Sequence, residues 1–304
     1  MATTSGTTDL AASPPAVGEV PTAAARPRGS RLRTIDRWLL PVFTVLAIIY
    51  LMIPIAVMIV FSFNDPEGKF NYTWNTFSIE GWLHPFDWPG LGDAVVTSIG
   101  IAILATIIAT ILGTMIGLAL TRYHFRGRGP LNAIIFLPMA TPEIVMGASL
   151  LTLFVATALP PLQGAVPTLY PTGFQTILIA HVMFCISFVV VTVKARLAGF
   201  DRRLEEAAMD LGANEITTFW KVTLPLILPG VMAAALLAFS LSIDDFVITN
   251  FVSGTTNTFP IWVYSIQRNA LPVQINVIGS IIFLGAVLLV AGTTLRSGRA
   301  PRIR

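Results

Sequence analysis

Charge is what this sequence has least of. Only 12% of its 304 residues are Asp, Glu, Lys or Arg, whereas 54% are hydrophobic and the mean hydropathy is +0.76. A soluble domain is usually about a quarter charged, so the composition excludes an ordinary soluble globular protein and leaves the membrane class. There is a single cysteine, Cys185, which excludes a disulfide within the chain and argues against a metal cluster; a small buried hydrophobe is its default role. Histidine is nearly as scarce. His84 and His124 have no metal-ligand spacing to Cys or to another His, and His181 stands alone in an apolar run, read either as hydrogen-bonded to a neighbouring helix or as a ligand or proton relay. Also missing are G-x-x-x-x-G-K-[ST], H-E-x-x-H and G-x-S-x-G. Without the first, the chain cannot hydrolyse ATP by the P-loop mechanism, and Gly127-Arg128-Gly129-Pro130 is a turn. No basic patch with interleaved aromatics occurs, so the net charge of +3 does not point to nucleic acid. No catalytic residues, no metal site and no cofactor are expected in this chain.

What is present is long apolar runs. A stretch of about 18 or more residues with few charges is a spanning-helix candidate, and six are found, at roughly 39–63, 94–121, 131–157, 173–194, 226–252 and 274–295. The expectation is an all-α, polytopic membrane protein of six spans. Lys and Arg give the orientation, because cytoplasmic loops retain them. Of the 19, only Lys69 and Arg268 fall in the loops assigned to the outside; the others cluster before span one, between two and three, between four and five, and after six. Both termini and the loop 197–225 are therefore expected in the cytosol of a prokaryote, with the spans in its plasma membrane. Residues 1–35, rich in Ala, Thr, Pro and Ser, read as a disordered cytosolic tail, and 296–304 as a basic one. The apolar run after the first tail is too long for a signal-peptide core and is read as a span. Between spans one and two lies a loop carrying Phe70, Tyr72, Trp74, Phe77, Trp82, Phe86 and Trp88, suited to the membrane interface or to docking an external partner.

The loop 197–225 is patterned. Leu204, Ala207, Ala208 and Leu211 recur at helical spacing beside Glu205, Glu206 and Asp210; Gly212 stops that helix; a second register starts after Asn214 as N-cap, with Ile216, Phe219, Trp220 and Thr223 on one face, and Pro225 is expected to interrupt it. Two short helices at an angle follow. The order Glu206-Ala207-Ala208, three residues, Gly212, nine residues, then Val222-x-Leu224-Pro225 resembles the EAA loop of ABC importer permeases, with Val222 in place of Ile. An amphipathic helix resting on the bilayer is the plainer reading. Further segments, Pro142 to Gly147, Ala180-His181-Val182 through Val193, and Asp244-Asp245-Phe246-Val247, are similar to the spermidine/putrescine permease branch, over roughly residues 35–295. The resemblance implies an alternating-access importer subunit that works with a second permease, a dimer of ABC ATPase subunits that bind the ATP, and an extracytoplasmic solute-binding protein. It implies ATPase coupling at Glu206, Ala207, Ala208, Gly212, Leu224 and Pro225, and a polyamine or another small organic solute as cargo. An ion-coupled carrier would call for internal repeats, which the sequence lacks, and an intramembrane enzyme for a catalytic motif.

Three acids lie within the apolar runs, where a carboxylate costs about 2.5–3.5 kcal/mol at a helix centre. Asp244 and Asp245 are about 100° apart around a helix, so both do not face lipid by accident. Either they line the path of a cation, or one caps a helix break near Ser242 while the other bonds a neighbouring span. Thr141-Pro142-Glu143 reads as N-cap, proline at N1 and first-turn acid, so Glu143 is either a local helix-start residue or a pathway contact at a broken helix.

Overall fold

The computed structural model describes residues 30–160 and 162–297. Among these, helices dominate: α1 (Ser30–Phe61), α2 (Glu80–Leu83), α3 (Leu91–Arg122), α4 (Arg128–Ala140), α5 (Glu143–Ala156), α6 (Phe174–Ala198), α7 (Arg203–Asp210), α8 (Glu215–Thr218), α9 (Leu224–Ile243), α10 (Val247–Val252), α11 (Phe259–Ile266) and α12 (Val273–Ser297). Among the described residues the only strands are the two-residue β1 (Asn64–Asp65) and β2 (Thr76–Phe77), paired antiparallel. The chain is a helical membrane protein. Most of the reading of 1–35 and 296–304 as tails lies outside the described residues; of the first stretch, Ser30–Ile35 is helical, part of α1, which runs on through Pro41 and Pro54.

Each of the six apolar runs lies largely in helix, but the sixth supplies only the shorter apolar stretch Val273–Leu288, so among the described residues four spans, or five with a bent pair, replace the six expected. Four are long and apolar enough to cross a membrane: Leu39–Phe61, Leu91–Arg122, Phe174–Ala198 and a continuous Glu215–Ile243. The third run departs from a simple span. It is the pair α4 and α5, bent by 108° at a short break, a broken span or a re-entrant loop. Proline supplies the cause: Pro142 has no N–H to continue α4, and Thr141, which precedes it, is extended. Thr141 is not the expected N-cap of the next helix. Its hydroxyl donates to Leu137 O at 2.7 Å within α4, and Pro142 occupies the cap position of α5 instead.

Two contact units divide the chain at Ile55/Ala56. The first contains the greater part of α1, whose apolar residues are exposed. In the second, α3, α6 and α9 form the core, through Ile101, Ala109, Cys185, Val189, Val193, Ile227 and Ala234 among others. Small residues let these helices approach. A Cβ added at Gly113 of α3 would meet Val189 Cγ1 of α6 at 2.6 Å. A second cluster joins Leu91, Ala94 and Val95 of α3 to Trp262 of α11 and Ile278 of α12. The aromatic loop before α2 packs in part on itself. Phe63 stacks on Phe77 and Trp82 at 5.7 and 5.3 Å and Phe70 on Tyr72 at 5.4 Å, while Phe77, Tyr72, Trp74 and Phe86 all keep an exposed side. Asn64 and Asn71 hold the loop from inside, with Asn64 Nδ2 donating to Asn71 Oδ1 at 2.7 Å and Asn71 Nδ2 to Phe61 O at 2.9 Å.

Overpacking a tight helix crossing costs about 1–3 kcal/mol, so Gly113→Leu is expected to lower the Tm of the detergent-solubilised protein. Gly100→Ala, where an added Cβ meets nothing within 4 Å, is expected to leave it unchanged; equal effects of the two would contradict the α3–α6 packing.

Candidate coupling loop and pathway site

The loop between α6 and α9 is anchored from beneath. Glu205 on α7 accepts hydrogen bonds from Arg122, the last residue of α3, and from the Thr223 hydroxyl, while its side chain is only 12% exposed. Arg202 adds a bond from Nη2 to Thr121 O at 3.1 Å, and the Arg122 guanidinium lies 5.7 Å from the Phe200 ring centroid. An arginine and a carboxylate held together away from water make a stronger pair than an exposed one, because solvent screening is reduced. The first helix of the loop is thus fixed to the end of α3.

Gly212 ends that helix in the left-handed region at φ 92°, where a Cβ would be strained, and Ala213 N reaches back to Ala208 O at 3.1 Å. Asn214 caps α8 as expected, its Oδ1 accepting from Thr217 N at 2.8 Å. Pro225 does not interrupt the second helix. The π turn Phe219–Thr223 widens the register so that Leu224 N bonds Phe219 O, and Pro225 sits in the first turn of α9, where its missing N–H leaves no gap. Leu224 is half-buried and Pro225 exposed. On the outer side of the loop, Glu206 and Ala207 are exposed and Ala208 is half-buried. Leu211, Ile216 and Trp220 are 90%, 72% and 62% exposed, apolar side chains that no described residue covers.

The acid pair separates. α9 stops at Ile243 and α10 begins at Val247, and the two aspartates sit in the break with opposite fates. Asp245 turns inward: its Oδ2 accepts from Thr249 N at 2.8 Å and from Thr249 Oγ1 at 2.6 Å, capping α10, and lies 3.3 Å from His181 Nε2. Asp244 is exposed and makes no side-chain hydrogen bond or ion pair with another residue among those described. The structural reading therefore fits Asp245, which both caps and bonds a neighbouring helix, and leaves Asp244 presented. Glu143, at the start of α5, is also exposed and has no such partner among the described residues. α5 itself lies against α10, where Gly147 makes room for the Phe251 ring: an added Cβ would stand 2.7 Å from Phe251 Cδ2. His181 is buried and bonded on both nitrogens, so it is a helix-to-helix contact.

Thr249, Arg122 and Glu205 carry much of this arrangement and were not apparent as site residues in the sequence. A hydroxyl four residues after Asp245 is the one local sign; Arg122 and Glu205 are 83 residues apart and pair only through the fold.

The family described as binding-protein-dependent transport system inner membrane component matches residues 109–297. The chain is 36% identical over 242 residues to the spermidine/putrescine transport system permease protein PotC of Haemophilus influenzae, covering 79% of this chain and 89% of that one. It is 38% identical over 251 residues to the putrescine transport system permease protein PotI of Escherichia coli K12, covering 82% and 86%. A bacterial ABC transporter involved in importing the acidic polysaccharide alginate has a chain of similar fold, with TM-score 0.68 at 16% identity, covering 90% of this chain and 100% of that one.

Losing one partner of a partly buried charged pair costs about 1–3 kcal/mol. Arg122→Ala is thus expected to loosen α7 and speed tryptic cleavage after Arg202 or Arg203, and the exchange Arg122→Glu with Glu205→Arg to recover much of the protection. Unchanged cleavage in Arg122→Ala would contradict the anchor.

Proposed function

Since this chain belongs to the binding-protein-dependent transport system inner membrane components, we propose that it is the permease subunit through which a polyamine such as spermidine or putrescine enters the cell. It is a transport component of a bacterial inner membrane, not an enzyme. The observation that carries the cargo assignment is Asp244, an exposed carboxylate at a helix break with no partner among the described residues, in a chain resembling two polyamine permeases over most of its length. A flexible di- or trivalent cation gains from such a carboxylate by direct attraction, and a broken helix near the middle of a transporter is where solute contacts are usually placed. Glu143, at the break between α4 and α5, is a second candidate on the same grounds. Its relation to Asp244 is through the α5–α10 packing.

Coupling in this reading occurs at Glu206, Ala207, Ala208, Gly212, Leu224 and Pro225. The exposed apolar face of Leu211, Ile216 and Trp220, beside the exposed Glu206, suits a cytosolic ATPase subunit that supplies apolar surface and cations. The complete machine would hold this chain, a second permease, two ATPases that bind the ATP, and an extracytoplasmic solute-binding protein, with both termini of this chain in the cytosol. Closure of the ATPases on ATP pushes the loop, and the permeases rock between outward and inward openings. An ion-coupled carrier has no comparable support, because nothing in such a mechanism requires the patterned loop.

Gly212→Pro and Glu206→Lys are expected to leave the chain inserted but to abolish uptake, the first by removing the unstrained bend and the second by turning attraction into repulsion. Wild-type uptake with undiminished ATPase co-purification in both would contradict the coupling assignment. For the cargo, Asp244→Asn in the assembled importer is expected to reduce labelled putrescine uptake about tenfold, equivalent to about 1.4 kcal/mol of lost stabilisation. Full uptake at normal expression would remove Asp244 from the pathway.

A further inference from the structure

The break between α9 and α10 is spanned by one side chain from a different helix. His181 of α6 places Nδ1 2.7 Å from Ser242 Oγ, in the last turn of α9, and Nε2 2.8 Å from Thr249 Oγ1, in the first turn of α10. The imidazole therefore touches both sides of the gap that contains Asp244 and Asp245. It is almost completely shielded, as is the Asp245 carboxylate, with side-chain exposures of 4% and 5%.

The direction of the hydrogen bonds follows from the acceptors. Thr249 spends its hydroxyl proton on Asp245 Oδ2, at 2.6 Å, so toward His181 the same oxygen can only accept. Nε2 is therefore the donor, in the neutral ring or the charged one. In the neutral ring Nδ1 then accepts from the Ser242 hydroxyl, and a chain of donors runs from Ser242 through His181 and Thr249 to the Asp245 carboxylate. With the Thr249 N–H also donated to Oδ2, Asp245 is committed to the interior; turning outward would abandon buried donors at a cost of about 1–3 kcal/mol each. The far end of α10 is tied to α6 as well, by Thr176 Oγ1 donating to Val252 O at 2.6 Å.

We propose that His181 is a positioning residue for transport: by stapling α9 to α10 and holding Asp245 inward, it fixes the backbone of the break so that Asp244 alone of the pair is presented to the cationic solute. The inference rests on the pathway role of Asp244 and assigns His181 no contact with the cargo. The group that matters is the Nε2–H donor. A glutamine at the same place carries an amide N–H with similar reach, whereas leucine fills the volume and donates nothing.

The test is putrescine uptake by the complete importer in proteoliposomes with saturating binding protein, measured together with stimulated ATP hydrolysis. His181→Leu is expected to lower uptake about tenfold while hydrolysis persists, and His181→Gln to stay within about threefold of wild type; combined with Asp244→Asn, His181→Leu should add less than about twofold, because both changes act on one contact. Thr249→Val, which keeps the shape and removes the hydroxyl, is expected to behave as His181→Leu does and serves if the latter does not assemble, with Thr249→Ser as its rescue. Wild-type uptake in His181→Leu or Thr249→Val overturns the proposal, as does equal impairment of each with its rescuing variant, or losses that multiply with Asp244→Asn. If Asp244→Asn alone is silent, the pathway reading falls and this inference with it; an impaired Asp244→Asn beside independent His181 effects overturns this inference alone.

Discussion

A helix that breaks among apolar spans exposes backbone groups where water cannot serve them, and a carboxylate left there unpaired costs several kcal/mol. The gap from Ile243 to Val247 meets that constraint with a compact set of hydrogen bonds. Asp245 caps the restarted helix, Thr249 gives it two hydrogen bonds, and His181 joins the break to α6. The surrounding helices are shaped to fit. Gly147 on α5 yields space to Phe251, and Gly254, at φ 56°, turns the chain beside Thr172, where a Cβ would stand 2.2 Å from the Thr172 carbonyl oxygen. What remains after these demands are met is Asp244, the one acid at the break with no partner among the described residues.

The same helix that ends at this break begins in the patterned loop. Glu215–Ile243 runs without interruption for 29 residues, about 44 Å at 1.5 Å per residue, because the π turn absorbs Pro225. The apolar face around Leu211, Ile216 and Trp220 is thus connected to the aspartate pair by a single helical rod. At the loop end, Arg122, Glu205 and Thr223 bind α7 to α3 and to the rod together. In the proposed coupling, a push on the loop would have a stiff route to the break.

Much of this was legible in the sequence, and the exceptions share a cause. Hydrophobic length located each of the six helical segments, and the spacing from Glu206 to Pro225 located the loop, its glycine bend and its Asn214 cap. Pro142 marked the break between α4 and α5, yet a missing N–H does not set the size of the 108° bend. Pro225 misled in the other direction, since proline stops a regular α-helix but is accommodated by a wider turn. The two aspartates were indistinguishable as neighbours. What separates them is a histidine on another helix, 64 residues earlier in the chain, and contacts of that kind are set by the fold and leave no periodic trace.

The central claim is that this permease couples delivery of a polyamine to ATP hydrolysis elsewhere in its complex. The most direct measurement is ATP hydrolysis by the purified, reconstituted importer as its binding protein is added, either empty or loaded with putrescine, spermidine or an unrelated solute such as an amino acid or a sugar. The account predicts strong stimulation by the polyamine-loaded protein and little by the others. Equal hydrolysis under all of these conditions, or stimulation confined to a non-cationic solute, would contradict it.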